Sequence, residues 1–496
     1  MISNVIQMRF AAIASLCSFI VVSFSATSAA PSTLLDALLS KANAASGAPY
    51  RLRVRSEGVD GSNRLVSVDE EGLAYVRRRC EGTLCTGRYF DGRRSYDVNF
   101  NDTALPARGS DPAQLTYRTI ASYAFTDPDF RHSAGRLGER EPVTVAGHLY
   151  RRITVLPRGG IVLDALIDES TSLLAGVSSL DGTSRFTFRD QRRVSGRVTL
   201  PFSIDYNDTP RERFERREVR DGHLAAPAGL LPRFGDGKLV AMLRADRPIV
   251  ACSVGEITVP CLIDTGNTGM AISLELAEAL GIEPLQGSTE VRGVGSYITG
   301  VARVPPLSVA GATFPSALYT ILHDIHGYGY DIVLGADVLA HARVAVDYPQ
   351  RRILILPPDD VADRHPLALA FEHLIPVIDV RLAEQDVRLM IDTGDDSTVN
   401  LAAEYYAEHR TLFKPTGKTR VGGAGGTVEQ LTGEIRSIGI AGFTLERQKI
   451  GAQPQPARVA DGHLGSGLLA HFRVVLDYAH ERIALEPRAG DPALAR

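Results

Sequence analysis

An apolar strand that runs into Asp-Thr-Gly occurs twice in this 496-residue chain, and that repeat constrains the fold more than any other feature. The two copies are Cys261–Gly266 and Leu389–Gly394, and their aspartates, Asp264 and Asp392, lie 128 residues apart. In each copy the carboxylate would leave a buried strand where glycine permits a tight turn. A single tripeptide of this kind carries little information, so the interpretation depends on what repeats around it.

Similar features surround both copies in the same order. A predicted hairpin precedes each copy, and a short helix, a glycine-rich hairpin, an apolar segment with an internal glycine and a closing strand follow it. These features lie at 248–254, 274–280, 291–297, 331–339 and 342–348 for the first copy, and at 374–382, 401–410, 420–427, 463–469 and 472–478 for the second. The sequence therefore predicts two tandem copies of one supersecondary plan.

The tandem units resemble the retropepsin-like branch of the aspartic peptidases over residues 240–487. The matching segments are Asp264-Thr265-Gly266 with Val333-Leu334-Gly335, and Asp392-Thr393-Gly394 with His463-Leu464-Gly465. The resemblance implies two acid-protease-like β-barrel lobes, each with one catalytic carboxylate and one hairpin flap. It also implies that Thr265 and Thr393 bond to the opposite lobe, and that Gly266 and Gly394 let the backbone approach.

The glycine-rich hairpins are the candidate flaps. Their glycines suit tight hairpins that close over an extended peptide, and an ordinary hairpin turn explains them almost as well. The flap candidates are Gly293, Gly295, Gly423 and Gly425.

The expected chemistry follows from placing Asp264 beside Asp392. Two carboxylates about 3 Å apart cannot both ionise cheaply, so we expect the pair to hold one proton and to titrate as a unit. The ionised member would take a proton from a water molecule while the protonated member polarises a scissile carbonyl. The resemblance thus implies an aspartic-type endopeptidase that acts on polypeptide and requires no cofactor.

Three departures from the family pattern keep a second interpretation open. Asn267 and Asp395 follow the two triplets where many members carry Ala, and Gly467 stands in the second unit where the first has Asp337. The Asp395-Asp396 pair adds negative charge, which would raise the pKa of the dyad or, if exposed, have little effect. The alternative is a periplasmic binding or carrier protein with non-catalytic lobes.

Residues 1–30 are predicted to be an export signal. Arg9 precedes an apolar run at 10–24, and small residues end the segment at Ala30. The run is short for a spanning helix, so we expect a periplasmic or secreted protein without stable membrane insertion after signal cleavage. A formal net charge of −4 gives no electrostatic case for binding nucleic acid.

The remainder divides into three predicted regions: an antiparallel β domain at 31–235, a first lobe at 236–358 and a second lobe at 359–490. After a helix at 34–45, the N-terminal region alternates apolar and polar residues between Asp-Gly turns, which predicts a β-meander or half-barrel. Its strands are expected at 50–55, 67–77, 88–100, 149–155, 161–168, 173–180 and 185–189.

Residues 159–174 of this region loosely resemble the half-barrel of periplasmic lipoprotein carriers. A prosegment or a plain scaffold fits the N-terminal region equally well. With both lobes in one chain, we expect a monomeric pseudo-dimer, and a dimer of chains stays open.

Four cysteines remain after the predicted signal, an even number in an oxidising compartment. Cys80 and Cys85 bracket a short loop and are predicted to bridge it. Cys252 and Cys261 would lie opposite each other on the hairpin before Asp264 if its turn has four residues. The Cys-x4-Cys spacing is not that of a zinc ribbon and no nearby His pair completes a set of ligands, so no metal site is predicted.

Overall fold

The computed structural model describes most of the chain from residue 51 onward. The described residues are 51–69, 74–91, 94–107, 133–145, 147–157, 162–171, 173–194, 198–221, 225–359, 366–454, 460–488 and 494–495. Within these ranges the chain forms thirty-nine strands in five sheets and only four short α-helices, which confirms the predicted mainly-β fold. The predicted export signal and the predicted helix at 34–45 lie outside the described residues.

The N-terminal region is one sheet of thirteen antiparallel strands in which two meanders, β1–β6 and β7–β13, join through β1 and β13. Its apolar cluster includes Ile153, Leu163 and Phe188, which are almost fully buried. The strands are β1 (Arg51–Gly58), β2 (Asn63–Asp69), β3 (Ala74–Glu81), β4 (Leu84–Phe90), β5 (Ser95–Val98), β6 (Ala104–Pro106), β7 (Ser133–Val145), β8 (His148–Pro157), β9 (Leu163–Asp168), β10 (Leu174–Ser179), β11 (Arg185–Val194), β12 (Val198–Tyr206) and β13 (Thr209–Asp221).

Two of the predicted strands in this sheet are wrong as single elements. The strand predicted at 67–77 is the end of β2 and the start of β3, and the one predicted at 88–100 is divided between β4 and β5. Apolar and polar residues alternate on both arms of a tight hairpin, so the alternation alone does not show where the chain reverses.

The first lobe is built around a nine-stranded sheet, and β14, which lies in the segment before the predicted boundary at 236, pairs with β23 of this sheet. Its elements are β14 (Arg233–Phe234), β15 (Val240–Ala241), β16 (Ile249–Val254), β17 (Ile257–Ile263), β18 (Met270–Ser273), α1 (Leu274–Ala279), β19 (Thr289–Arg292), β20 (Ser296–Thr299), β21 (Val301–Val304), β22 (Leu307–Val309), β23 (Ala312–Phe314), β24 (Ala317–Leu322), β25 (Ile332–Leu334), α2 (Ala336–Leu339), β26 (Arg343–Asp347) and β27 (Arg352–Leu356), with a 3-10 turn at His326–Tyr328.

The second lobe has a nine-stranded sheet of its own. Its elements are β28 (Pro366–Ala368), β29 (Ala370–Glu372), β30 (Ile375–Leu382), β31 (Gln385–Asp392), β32 (Val399–Ala402), α3 (Ala403–Glu408), β33 (Phe413–Gly423), β34 (Gly426–Ile440), β35 (Phe443–Gln453), β36 (Gly462–Gly465), α4 (Ser466–Leu469), β37 (Phe472–Asp477), β38 (Arg482–Pro487) and β39 (Leu494–Ala495), with a 3-10 turn at Arg410–Leu412.

The strands around the two Asp-Thr-Gly turns pair in the same way. In the first lobe, β17 pairs parallel with β25, β25 pairs antiparallel with β18, and β18 pairs parallel with β24. In the second lobe, β31, β36, β32 and β35 form the same three pairings in the same order. The register also agrees, because Ile263 lies opposite Leu334 and Ile391 lies opposite Leu464. One backbone plan therefore holds both turns.

A six-stranded sheet, in the order β15-β27-β26-β37-β38-β28, joins the lobes. At its centre β26 and β37 pair antiparallel, with Ala345 opposite Val475. A single apolar core extends through both lobes, so they form one packed body. This packing fixes the separation of the two Asp-Thr-Gly turns.

The N-terminal sheet contacts the first lobe at two places. At the tip of the β3–β4 hairpin, Leu84 packs in one cluster with Val301 and Leu285, and an added Cβ on Gly82 would overlap the carbonyl oxygen of Gln286. The second contact is made by the turn between β5 and β6, residues 99–103, which reaches the loop after Asp264. The N-terminal sheet is thus packed against the lobe near the segment that carries Asp264.

Candidate active site

Each Asp-Thr-Gly turn lies directly over a glycine on a neighbouring strand. Asp264 follows β17 and Asp392 ends β31, while β25 leads to Gly335 and β36 ends at Gly465. An added Cβ on Gly335 would overlap the carbonyl oxygen of Asn267, and one on Gly465 would overlap a carbonyl oxygen of the second turn. The two apolar-apolar-Gly segments found in the sequence therefore pack beneath the turns, where glycine alone fits.

The carboxyl groups of Asp264 and Asp392 meet where the lobes join. An added Cβ on Gly266 would lie 2.7 Å from Asp392 Cγ, and one on Gly394 would lie 2.8 Å from Asp264 Cγ. Gly266 N–H donates to Asp264 Oδ1 at 2.8 Å, and Gly394 N–H donates to Asp392 Oδ1 at 3.0 Å. Both aspartates are half-buried, so part of the pair remains accessible to solvent.

The surroundings of this dyad favour a shared proton. Burial, and after it the charge of Asp392, raise the pKa of Asp264 well above its usual range. Burial also raises the pKa of Asp392, and the positive charge of His463 opposes that rise. Each carboxyl group also shifts the pKa of the other, which raises that of Asp264 and lowers that of Asp392. The pair can therefore present one acid and one base to a water molecule over a wide pH range.

Thr265 and Thr393 connect the two turns across the lobe interface. Thr265 Oγ1 donates to the carbonyl oxygen of Ile391 at 2.7 Å and accepts from Thr393 N–H at 3.0 Å. Thr393 Oγ1 donates to the carbonyl oxygen of Ile263 at 2.7 Å and accepts from Thr265 N–H at 3.1 Å. Both threonines are buried, so these four bonds are shielded from water and hold the aspartates in register.

The two glycine-rich hairpins, β19–β20 and β33–β34, touch at their tips. Gly295 N–H donates to the carbonyl oxygen of Ala424 at 3.2 Å. An added Cβ on Gly293 would lie 2.6 Å from the same oxygen, and one on Gly425 would lie 2.5 Å from the carbonyl carbon of Gly295. An added Cβ on Gly423 would lie 2.7 Å from a methyl group of Val294. All four flap candidates thus lie at the contact between the hairpins.

The four cysteines predicted to pair are joined in two disulfides, Cys80–Cys85 and Cys252–Cys261. The first closes the tip of the β3–β4 hairpin, where Cys80 and Cys85 lie directly opposite each other. The predicted register of the second pair is wrong. Because the β16–β17 turn has two residues rather than four, Cys252 lies opposite Val259 and its bond to Cys261 is diagonal.

A buried ion pair beside Asp392 was not found by sequence reasoning. His463 Nε2 lies 2.7 Å from Asp395 Oδ2, and Ser397 and Asn400 also donate to the Asp395 carboxylate. Burial opposes ionisation, yet these partners hold the pKa of Asp395 at about 2. The sequence predicts Asp395 only as added negative charge, since nothing in it places Asp395 against a histidine 68 residues later.

A second ion pair crosses the lobe interface. Arg247 Nη2 lies 3.6 Å from Asp396 Oδ2, and the Asp396 side chain is 61% exposed. The sequence predicts no partner for Asp396 and no role for Arg247. The signal available in the sequence is an arginine two residues before β16.

Asp337 of α2 is fully buried and is held by the N-terminal sheet. Its Oδ1 accepts from Asn99 Nδ2 at 2.7 Å and from Thr103 Oγ1 at 2.5 Å, and its Oδ2 accepts from Asn101 Nδ2 at 2.6 Å. Asn99 Nδ2 also donates to the carbonyl oxygen of Thr268, four residues after Asp264. The N-terminal sheet therefore supports the loop that carries one member of the dyad.

His323 and His326 lie on the surface of the first lobe. His323 packs edge-on against Tyr297, and His326 pairs with Asp331 at 2.7 Å. In the part of the chain that the structure describes, no cluster of three His, Cys, Asp or Glu side chains could hold a metal ion. No helix in those same ranges is long and apolar enough to cross a membrane.

Residues 250–338 match the family model described as aspartyl protease. The matched segment begins in β16, includes Asp264 and the β19–β20 hairpin, and ends in α2 before the second Asp-Thr-Gly turn. No curated protein matches this chain. The first lobe contains an aspartyl-protease-like domain.

Proposed function

We propose that this protein is an aspartic endopeptidase whose catalytic dyad is Asp264 and Asp392. The observation that carries the proposal is the contact between two carboxyl groups, one from each Asp-Thr-Gly turn, that are placed to share a proton. The aspartyl protease match supports this role for the first lobe. The equal strand pairing around Asp392 supports it for the second.

In the proposed reaction, a water molecule lies between the two carboxyl groups. The ionised carboxylate takes one proton from this water as its oxygen attacks the carbonyl carbon of the scissile peptide bond. The protonated carboxyl gives its proton to the carbonyl oxygen, which forms a neutral tetrahedral intermediate. The carboxyl that took the proton from water then gives it to the amide nitrogen, while the other carboxylate takes a proton from a hydroxyl of the intermediate. The C–N bond breaks, an amine and a carboxylic acid are released, and the dyad returns to its starting protonation state.

The two hairpins suggest the form of the substrate. They come from opposite lobes and touch at their tips, as expected of two flaps that enclose a substrate with chain extending on both sides. An extended polypeptide fits this path, and closure of the hairpins would exclude water from the dyad. Export to the periplasm or medium and a monomeric state, with both lobes from one chain, belong to the same proposal.

Cleavage of a diverse peptide mixture by residues 31–496, measured from pH 3 to 8, tests this function. We expect Asp264→Asn and Asp392→Asn each to lower kcat/KM by about a thousandfold or more, because each removes half of the dyad. Both variants should fold at least as stably at neutral pH, since each loses a carboxyl that burial disfavours. Asp386→Asn, an exposed change on the same strand as Asp392, is the matched control.

Equal cleavage by the unmodified protein and both dyad variants would contradict the proposal. Absence of cleavage in all of them would favour the carrier interpretation, which lipid extraction from the N-terminal sheet can test.

A further inference from the structure

The two lobes differ in charge directly behind the dyad. The first turn continues into Asn267, and the strand beneath it carries Val333. At the equivalent places the second lobe has Asp395 and His463, which form the buried ion pair. The side chains at these two places are therefore neutral next to Asp264 and charged next to Asp392.

The two carboxylates also differ in their hydrogen bonds. Asp392 Oδ1 accepts from two backbone N–H groups, those of Gly394 at 3.0 Å and Asp395 at 3.2 Å. Asp264 Oδ1 accepts one such bond within its own turn, from Gly266 at 2.8 Å, and the backbone N–H of Gly394 in the other turn also lowers the pKa of Asp264. Backbone donors aimed at a carboxylate favour its ionised form, so both carboxylates are stabilised in this way, and the ion pair of Asp395 and His463 is what distinguishes Asp392 from Asp264.

We propose that Asp395 and His463 are positioning residues that keep the shared proton on Asp264, which makes Asp264 the acid and Asp392 the base of the reaction. The catalytic part of this inference rests on the proposed function. The location of the proton does not depend on the proposed function, since it follows from the residues around the two turns. In this arrangement the protonated carboxyl of Asp264 is the donor toward Asp392.

The charges around the dyad agree in direction. Burial opposes protonation of His463, but its hydrogen bond to Asp395 and the charges of both neighbouring aspartates raise its pKa. At Asp392, the lowering of the pKa by His463 outweighs the raising by Asp395. The second lobe therefore presents a net attraction for negative charge at Asp392.

The other ionisable groups that face the dyad do not reverse this preference. Arg247 is engaged by Asp396 at 3.6 Å and by Asp246 at 3.7 Å. Three buried tyrosines, Tyr330, Tyr348 and Tyr478, have pKa values raised mainly by burial, so they stay neutral.

The direct test is titration of a single remaining dyad carboxyl, observed by NMR of protein labelled at aspartate side chains. In Asp264→Asn the remaining Asp392 should titrate at lower pH than the remaining Asp264 does in Asp392→Asn. Adding Asp395→Asn and His463→Val to both variants should remove most of this difference. The double change gives the second lobe the neutral side chains that the first lobe has at the same places.

The pH dependence of kcat/KM supplies a second readout. With Asp395→Asn and His463→Val, the acid limb should move to higher pH, since a close positive charge typically lowers a carboxyl pKa by one unit or more. On the acid side of the optimum this means a loss of about tenfold in kcat/KM, with little change in kcat at the optimum. If the valine variant fails to fold, Asp395→Asn with His463→Gln keeps a hydrogen-bonded neutral pair.

Equal titration of the two lone carboxyls, or a difference that the neutral pair leaves unchanged, would overturn the proton assignment. If the titrations differ as expected while the unmodified protein cleaves no peptide, the assignment stands and the proposed function fails. The two results are therefore distinguishable.

Discussion

The two lobes hold their Asp-Thr-Gly turns with the same strand pairings but surround them with different chemistry. Thr265 and Thr393 each make the same hydrogen bonds to the opposite turn. In contrast, Asp337 in α2 and Gly467 in α4 occupy equivalent positions but have different side chains. The backbone around the two Asp-Thr-Gly turns is therefore symmetric between the lobes. Contacts to the rest of the molecule and the charge behind each carboxylate need not be.

Removing a threonine hydroxyl from the interface should have the largest effect on folding. Thr265→Val or Thr393→Val leaves a buried N–H and a buried carbonyl oxygen without partners, which costs about 2–4 kcal/mol in the free energy of unfolding. Chemical denaturation measures this loss, and Thr→Ser at either position should restore most of it. If the free energies lost at the two sites differ by more than about 1 kcal/mol, the hydrogen bonds of Thr265 and Thr393 are not energetically equivalent.

Asp337 and Gly467 test the difference between the lobes. Asp337→Ala leaves Asn99, Asn101 and Thr103 without their buried acceptor and should cost about 3 kcal/mol. Hydrogen exchange should increase at residues 99–103 and in the loop after Asp264. In Gly467→Ala the new Cβ would lie 2.8 Å from the Asp396 carbonyl oxygen, so about 1–3 kcal/mol is lost with no change at 99–103. Unchanged exchange at 99–103 in Asp337→Ala would contradict the support assigned to the N-terminal sheet.

The ion pair of the second lobe should make stability depend on pH. The pKa of Asp395 is about 2 in the folded protein and lies below its unfolded value. Its contribution to the free energy of unfolding is therefore present above about pH 4 and disappears as the pH falls toward 2. The folded pKa of His463 is raised, so its contribution is present below about pH 6.5 and disappears as the pH rises through the folded value.

The free energy of unfolding of the unmodified protein should therefore exceed that of the variant with Asp395→Asn and His463→Val by the largest amount between about pH 4 and 6.5. The pH-dependent part of the difference is about 2 kcal/mol, measured by urea unfolding across this range. A difference that stays constant from pH 2 to 8 would show that the pair is not ionised in the folded protein.

The smallest predicted effect concerns two equivalent tyrosines. Tyr348 OH lies 3.1 Å from Ser466 Oγ, whereas the buried Tyr478 OH has no hydrogen-bond partner among the residues described. The equivalent of Ser466 in the first lobe is Ala336. Ala336→Ser should therefore stabilise the protein by about 1 kcal/mol, and Ser466→Ala should destabilise it by a similar amount, measured as opposite shifts in Tm. A decrease in Tm for Ala336→Ser would show that the lobes differ in shape at this point.

Sequence reasoning located the parts of the site that depend on local backbone geometry. Asp264, Asp392 and their threonines belong to short segments in which strand, turn and glycine are adjacent, so the pattern predicts where the carboxylate emerges. The hairpin glycines were found for the same reason. The repeat and the rules of chain geometry predict where the two carboxylates emerge, whereas the roles of the threonines and of the hairpins are implied by the resemblance to the retropepsin-like peptidases.

Contacts between distant segments could not be predicted in this way. His463 is part of an apolar-Gly segment, and only the parallel pairing of β31 with β36 brings it to Asp395. Asp337 depends on side chains more than 230 residues earlier, in a turn that the sequence marks only as polar. The diagonal bond of Cys252 shows a smaller limit, because one hairpin register changes with the length of its turn.

The six-stranded sheet that joins the lobes has a consequence for how this site can change. In an assembly of two identical chains, every substitution enters both halves at once, and the site is lost when the subunits separate on dilution. Here β26 and β37 belong to one molecule, so the rate per molecule should not depend on concentration. A residue such as His463 can then exist in one half alone, which gives the two aspartates separate tasks.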